Sequence, residues 1–76
     1  MTTSELQDLL VSDLVRRRGG TRRRWRMLVG PVRLYDLATH AHCNWSVDPT
    51  GDAAENAAIE QLLDTVRLAH PIVTGN

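Results

Sequence analysis

The chain contains no lysine, and Cys43 is its single cysteine. A lone cysteine excludes an internal disulfide and favours a reducing, cytoplasmic location. The sequence has no run of about 18 apolar residues, so it predicts no membrane span. Residues 1–15 lack the basic segment and the apolar segment of a secretory signal, so we expect no such signal.

Length and composition limit the class of protein further. The 76 residues suffice for a single small domain, 1–76, but not for a β/α barrel or a doubly wound sheet. With 42% apolar and 24% charged residues, the composition excludes a disordered chain, collagen and a coiled-coil fibre. A core of this size supplies no more than about 3–5 kcal/mol of stability.

The charges are distributed very unevenly along the chain. The formal net charge is zero, but residues 1–35 carry +5 and residues 36–76 carry −5. All nine basic residues are arginine, and seven of them lie within eleven residues: Arg16, Arg17, Arg18, Arg22, Arg23, Arg24 and Arg26. We call these seven residues the arginine cluster. The neutral total therefore hides a strongly polarised chain.

The N-terminal segment has the pattern of an amphipathic helix. Ser4 and Gln7 match a capping box, in which each residue satisfies a free backbone N–H group of the other. Apolar residues recur at helical spacing: Leu6, Leu9, Leu10 and Leu14. Glycine ends helices readily, so we expect the helix to end at Gly19-Gly20.

The middle of the chain has the alternation of β-strands. Trp25, Met27 and Val29 alternate with Arg24 and Arg26, which predicts a half-buried strand over 24–29 with an arginine-bearing outer face. Gly30-Pro31 interrupts this strand, 32–35 resumes it, and 37–41 form a loop.

A second alternation follows at Cys43, Trp45 and Val47, so the two strands would pair as an antiparallel hairpin. Asp52 and Glu55 then form a capping pattern for a second helix that runs to about Ala69. Its predicted buried positions are Ile59, Leu62, Leu63 and Val66. Pro71 follows the helix, and the apolar tail at 72–73 would dock on the sheet or pair at its edge.

These elements predict an α+β fold: a small two-layer α-β-β-α domain with two helices packed on a short antiparallel hairpin. The alternative is a three-helix, all-α domain resembling a helix-turn-helix. In that alternative Pro31 begins the middle helix. Its helical spacing is Leu34, Leu37, Ala38 and Ala41.

The arginine cluster is the strongest functional signal in the sequence. Guanidinium groups donate bidentate hydrogen bonds that match phosphate oxygens, and they remain charged at physiological pH. We therefore expect the cluster to bind an anionic partner, with nucleic acid first and an acidic protein surface second. A solvated face, partly neutralised by the acidic second helix, is the alternative interpretation. Trp25 would point inward and so offers no stacking surface for a base.

Exposed apolar residues suggest a second mode of action. The interface candidates are Leu28, Tyr35 and Leu68. Leu28 would lie on the arginine side of its strand, and Leu68 lies away from the apolar face of its helix. Since so small a core leaves the sheet with open edges, we expect a homo-oligomer such as a dimer, or docking on a larger protein partner. Single surface leucines are also common in monomers, so this alternative stays open.

Metal binding and catalysis have little support in the sequence. His40, His42 and His70 are the candidate metal ligands, but one His-x-His-Cys run is a weak match to known metal-site spacings. Adjacent strand positions point to opposite faces, so His42 is badly placed to activate Cys43. We therefore expect no cofactor, no catalytic residues and no enzyme activity. The sequence favours a small regulatory or accessory binding protein, with a protein–protein adaptor or inhibitor as the alternative.

Overall fold

Over residues 1–75, which the computed structural model describes, the chain forms three helices and a two-stranded antiparallel sheet. The elements are α1 (Thr3–Arg18), α2 (Arg22–Val29), β1 (Arg33–Leu34), β2 (Trp45–Ser46) and α3 (Ala53–Ala69). The predicted α+β class is confirmed, with one helix more than expected. The structure does not favour the all-α alternative, because β1 and a turn occupy the segment that would have been its middle helix.

Helix α1 begins two residues earlier than the Ser4 cap predicted. Thr2 is the N-cap: its hydroxyl accepts from the Glu5 N–H at 3.1 Å, and its own N–H donates to Glu5 Oε1 at 2.9 Å. A charged carboxylate is a stronger acceptor at a helix N-terminus than a neutral amide, which favours Glu5 over Gln7 as the reciprocal partner. The Gln7 side chain instead donates to the Gly30 carbonyl at 2.7 Å. At the other end, Gly19 caps the helix with φ +78°, as predicted.

The predicted strand over 24–29 is wrong, since these residues belong to α2. Trp25 and Val29 are four residues apart, a spacing that puts two side chains on one face both in a strand and in a helix. The third buried residue is Leu28, not Met27, and the resulting i, i+3, i+4 spacing is helical. The sequence pattern alone fits both a strand and a helix at 24–29. Tertiary contacts therefore determine that these residues are helical.

The hairpin pairs Arg33 with Ser46 and Leu34 with Trp45. This confirms the predicted antiparallel pairing, although each strand is only two residues long. The loop before β2 contains a turn at 37–39. Trp45 and Val47 point into the core, as the alternation predicted.

Helix α3 has the predicted bounds and the predicted capping box between Asp52 and Glu55. All four predicted core positions of this helix are buried. Of the predicted apolar tail, Val73 is buried whereas Ile72 is 42% exposed, and Thr74 forms a parallel bridge with Thr2 rather than with an edge of the hairpin. The two ends of the described chain are thereby joined.

The core lies between the three helices and the hairpin, and its largest fully buried side chains are Leu6, Leu10, Leu14, Ile59, Leu63, Val11 and Val29. No buried side-chain nitrogen or oxygen lacks a hydrogen-bond partner within residues 1–75. Nor is any helix of this part of the chain long and apolar enough to span a membrane.

Candidate nucleic-acid interface

The arginine cluster lies on two consecutive helices joined by three residues. Arg16, Arg17 and Arg18 form the last turn of α1, and the other four residues of the cluster are on α2. All seven are exposed, and Arg16 keeps three quarters of its side-chain surface open to solvent. The turn at 19–21 joins the two helices, and Arg22 and Arg26 connect α2 back to α1 through contacts with Ser12 and Asp8.

Asp13 neutralises part of the cluster from within α1. Its carboxylate is largely buried, and it forms ion pairs with Arg16 and with Arg17, whose Nε lies 2.9 Å from Asp13 Oδ2. Pairs at i, i+3 and i, i+4 face each other on a helix, so this partner could have been predicted from spacing alone. Both arginine side chains remain mostly exposed, at 75% for Arg16 and 65% for Arg17.

Two arginines of α2 pair with carboxylates of other elements. Arg24 makes a bidentate contact with Glu55, from Nε to Oε2 and from Nη2 to Oε1, both at 3.1 Å. Arg26 Nη2 lies 2.9 Å from Asp8 Oδ1. Exposed ion pairs of this kind contribute only about 0–1 kcal/mol, so they orient these two arginines without binding them tightly.

The remaining three residues of the cluster have no carboxylate partner within the described chain. Arg22 donates to the Ser12 hydroxyl at 3.0 Å, which connects the start of α2 to the third turn of α1. Arg18 and Arg23 form neither an ion pair nor a side-chain hydrogen bond with any of residues 1–75. These three side chains therefore keep their guanidinium groups available for an external anion.

The apolar interface candidates divide into two groups. The prediction that Leu28 lies at the surface is wrong. Leu28 is 4% exposed and lies in the core, because α2 is a helix and not a strand. Leu68 is 87% exposed and Tyr35 is at the surface. Tyr35 is also held in place, since its hydroxyl lies 2.9 Å from Ser46 Oγ and its ring stacks on His40 at 4.4 Å between centroids.

The candidate metal ligands are not brought together into a site. Among residues 1–75 no group of three His, Cys, Asp or Glu side chains is close enough to hold a metal ion. His40 contacts the Thr39 hydroxyl, whereas His70 caps the C-terminus of α3. Cys43 is half-buried and donates to the Trp45 carbonyl at 3.4 Å.

One exposed residue of α2 was missed as a surface candidate. Met27, expected on the buried face, is 63% exposed beside the arginines. A helical interpretation of 22–29 is the signal that would have identified it, since a 100° step places Met27 away from the side that carries Trp25 and Leu28.

No family model matches this chain, and no curated protein or solved structure shows significant similarity to it.

Proposed function

We propose that this chain is a small, non-enzymatic binding protein that contacts a nucleic acid through the arginine cluster. The proposal rests on three arginines near the junction of α1 and α2 that have no carboxylate partner among residues 1–75: Arg18, Arg22 and Arg23. Several guanidinium groups held on adjacent rigid helix ends match the regular phosphates of a nucleic-acid backbone. A regulatory or accessory role in the cytoplasm fits such a partner and a chain with one unpaired thiol.

The arginine cluster is exposed although the formal net charge of the chain is zero. Four of the seven arginines pair with Asp8, Asp13 or Glu55, but their side chains remain about half exposed or more. A phosphate can therefore approach these arginines as well, adding to the attraction exerted by the other three. Long-range attraction of this kind raises association rates and weakens with salt.

The test is binding of a mixed-sequence DNA and RNA probe by fluorescence anisotropy over a salt series. We expect affinity to fall with salt, with a log–log slope of about −0.9 per phosphate bound on duplex DNA. The double variant Arg18→Ala/Arg23→Ala should weaken binding and flatten this slope by about 0.9 for each phosphate that the variant no longer neutralises.

Arg33→Ala is the matched control for this experiment. Arg33 lies on β1, outside the cluster, and pairs with Asp48 at 2.7 Å. Its removal takes away one exposed arginine without touching α1 or α2, so the slope should stay unchanged. Failure to retain either probe at low salt would contradict the proposed function.

A protein–protein adaptor or inhibitor is the second candidate function, and the exposure of Leu68 favours it. A leucine that is 87% exposed near the end of α3 offers an apolar contact to a second copy or to a larger partner. Binding through Leu68 and Tyr35 would respond little to salt. Sedimentation of the wild type and of Leu68→Ser at high concentration tests it: loss of a dimer in the variant supports the adaptor, and a wild-type monomer contradicts the homodimer.

A further inference from the structure

We infer that the nucleic acid is double-stranded DNA and that α2 enters its major groove. This inference rests on the proposed function and specifies the partner of the same site. The dimensions of α2, its rigid attachment and the residues on its outward face support duplex DNA, in addition to its positive charge.

Helices α1 and α2 are joined by a short glycine-containing turn. The connection is 19–21, and both Gly19 and Gly20 have positive φ, +78° and +83°. A side chain would be strained at either position, so the sharp change of direction depends on glycine. The turn folds α2 back along α1, because Arg22 contacts Ser12, and Arg26, one turn further on, contacts Asp8.

Helix α2 is held rigidly at both ends. At its start the Thr21 hydroxyl accepts from the Arg24 N–H at 3.1 Å, and the buried Trp25 donates from Nε1 to the Gly19 carbonyl at 2.8 Å. At its end Gln7 donates to the Gly30 carbonyl, and the Thr50 N–H donates to the Leu28 carbonyl at 3.0 Å. A helix that is already ordered loses little conformational entropy when it binds.

The outward face of α2 carries only arginine and methionine. With 100° between successive residues, the buried Trp25 and Leu28 lie on one side, and Arg23 and Met27 lie on the other. The helix has no acidic residue that would repel phosphate. Arginine forms bidentate hydrogen bonds with guanine O6 and N7, and an apolar side chain contacts the thymine methyl group. In this arrangement Arg22, the first residue of α2, and Arg18, in the last turn of α1, would contact backbone phosphates.

The dimensions of α2 favour duplex DNA over RNA. Eight residues form a helix about 12 Å long. A helix with its side chains is about 10–12 Å in diameter, which fits the major groove of B-form DNA, about 12 Å wide. The major groove of A-form RNA is deep and narrow and does not admit such a helix. A single strand has no groove, so there α2 would contribute charge only.

The test compares three probes of one mixed 20-base sequence: duplex DNA, single-stranded DNA and duplex RNA, by anisotropy at one low salt concentration. We expect duplex DNA to bind at least about tenfold more tightly than the other two. Methylation of guanine N7 should weaken duplex binding, whereas a minor-groove dye should not compete. Equal binding of all three probes overturns the groove inference and leaves the proposed function standing, whereas absence of binding to every probe overturns both.

Variants of α2 then separate base contacts from backbone contacts. In selection from a random duplex pool, Arg23→Ala should reduce the preference for the selected sequence over a scrambled one by about tenfold. Arg18→Ala should weaken both duplexes equally. Arg33→Ala is the control outside the cluster, since Arg33 lies on β1 and pairs with Asp48, and it should leave the preference unchanged. A preference that survives Arg23→Ala and Met27→Ala, with the helical circular dichroism intact, overturns the assignment of this face.

Discussion

The side chain of Asn44 forms two hydrogen bonds with the backbone of Val73. Its Nδ2 donates to the Val73 carbonyl at 2.7 Å, and its Oδ1 accepts from the Val73 N–H at 2.9 Å. Both residues are buried, so neither backbone group of Val73 can form a hydrogen bond with water instead. The side-chain amide thus satisfies both backbone groups of Val73, as a neighbouring strand would, and holds the C-terminal tail beside the hairpin.

Replacing Asn44 with Ala should destabilise the domain by about 2–4 kcal/mol, because two buried backbone groups lose their partners. Thermal and urea unfolding measure this change. The control is Asn56→Ala, which removes the acceptor for the half-buried Gly51 N–H and should cost about 1 kcal/mol. Equal losses for the two variants would show that the Val73 groups find other partners.

Two leucines test the correction of the strand at 24–29. Leu28→Ala should cost about 2–5 kcal/mol, since it opens a cavity in the core. Leu68→Ala removes the same atoms from an exposed position of a helix and should change stability by no more than about 0.5 kcal/mol. If Leu28→Ala leaves the stability unchanged, Leu28 does not pack in the core as α2 places it.

Trp45 joins the hairpin to α3. It is buried, its Nε1 donates to the His70 carbonyl at 2.8 Å, and the Arg67 guanidinium carbon lies 5.6 Å from its ring centroid. Trp45→Ala should cost about 3–5 kcal/mol, close to the whole stability of so small a domain. Trp45→Phe keeps most of the buried ring surface and should cost less, as thermal unfolding of both variants would measure. A loss of stability in Trp45→Phe as severe as that in Trp45→Ala would contradict a role based on burial.

The capping box of α1 makes stability depend on pH in the acid range. The hydrogen bond from the Thr2 N–H, followed by the hydrogen bond with the Thr2 side chain, lowers the pKa of Glu5 below its ordinary value of 4.5. A lowered carboxyl pKa contributes stability that is present above 4.5 and is lost as the pH falls through the lowered value.

The pKa of Glu5 is measured by NMR titration of its side-chain carboxyl carbon. In Thr2→Ala the pKa should move part of the way back toward 4.5, because one of the two hydrogen bonds remains. The same variant should lose some stability at neutral pH, and the part of that loss due to the Glu5 charge should vanish well below the lowered pKa. A Glu5 midpoint at or above 4.5 in the wild type would contradict the capping geometry.

Much of the fold could be predicted from the sequence because the signals are local. Asp52 and Glu55 cap α3 within one turn, and the apolar spacing of α3 fits a single period. The start of α1 was misplaced by two residues because two capping patterns overlap there. The antiparallel pairing of the hairpin was predicted, but the length of its strands was not. Strand length depends on contacts with other elements, which the alternation of residues does not specify.

The sequence predicted which arginines form the candidate site, but it did not predict all of their ion-pair partners. Exposure of the arginine cluster follows from the cost of burying a charge, which is local to each side chain. Asp13 could have been identified as a partner of the cluster from its spacing. Glu55 could not, since it lies 31 residues from Arg24 in the chain.

The sequence by itself determined the two long helices, the glycine stops and the crowding of positive charge near residue 20, because these depend on residues within one or two turns of each other. Tertiary structure alone decided that 22–29 is a helix, that Leu28 is buried while Met27 is exposed, and that Arg18 and Arg23 have no carboxylate partner in the described chain. The physical reason is that α2 is too short to be stable by itself. Its conformation depends on packing Trp25 and Val29 against the core, and the approach of distant carboxylates then selects which arginines are paired.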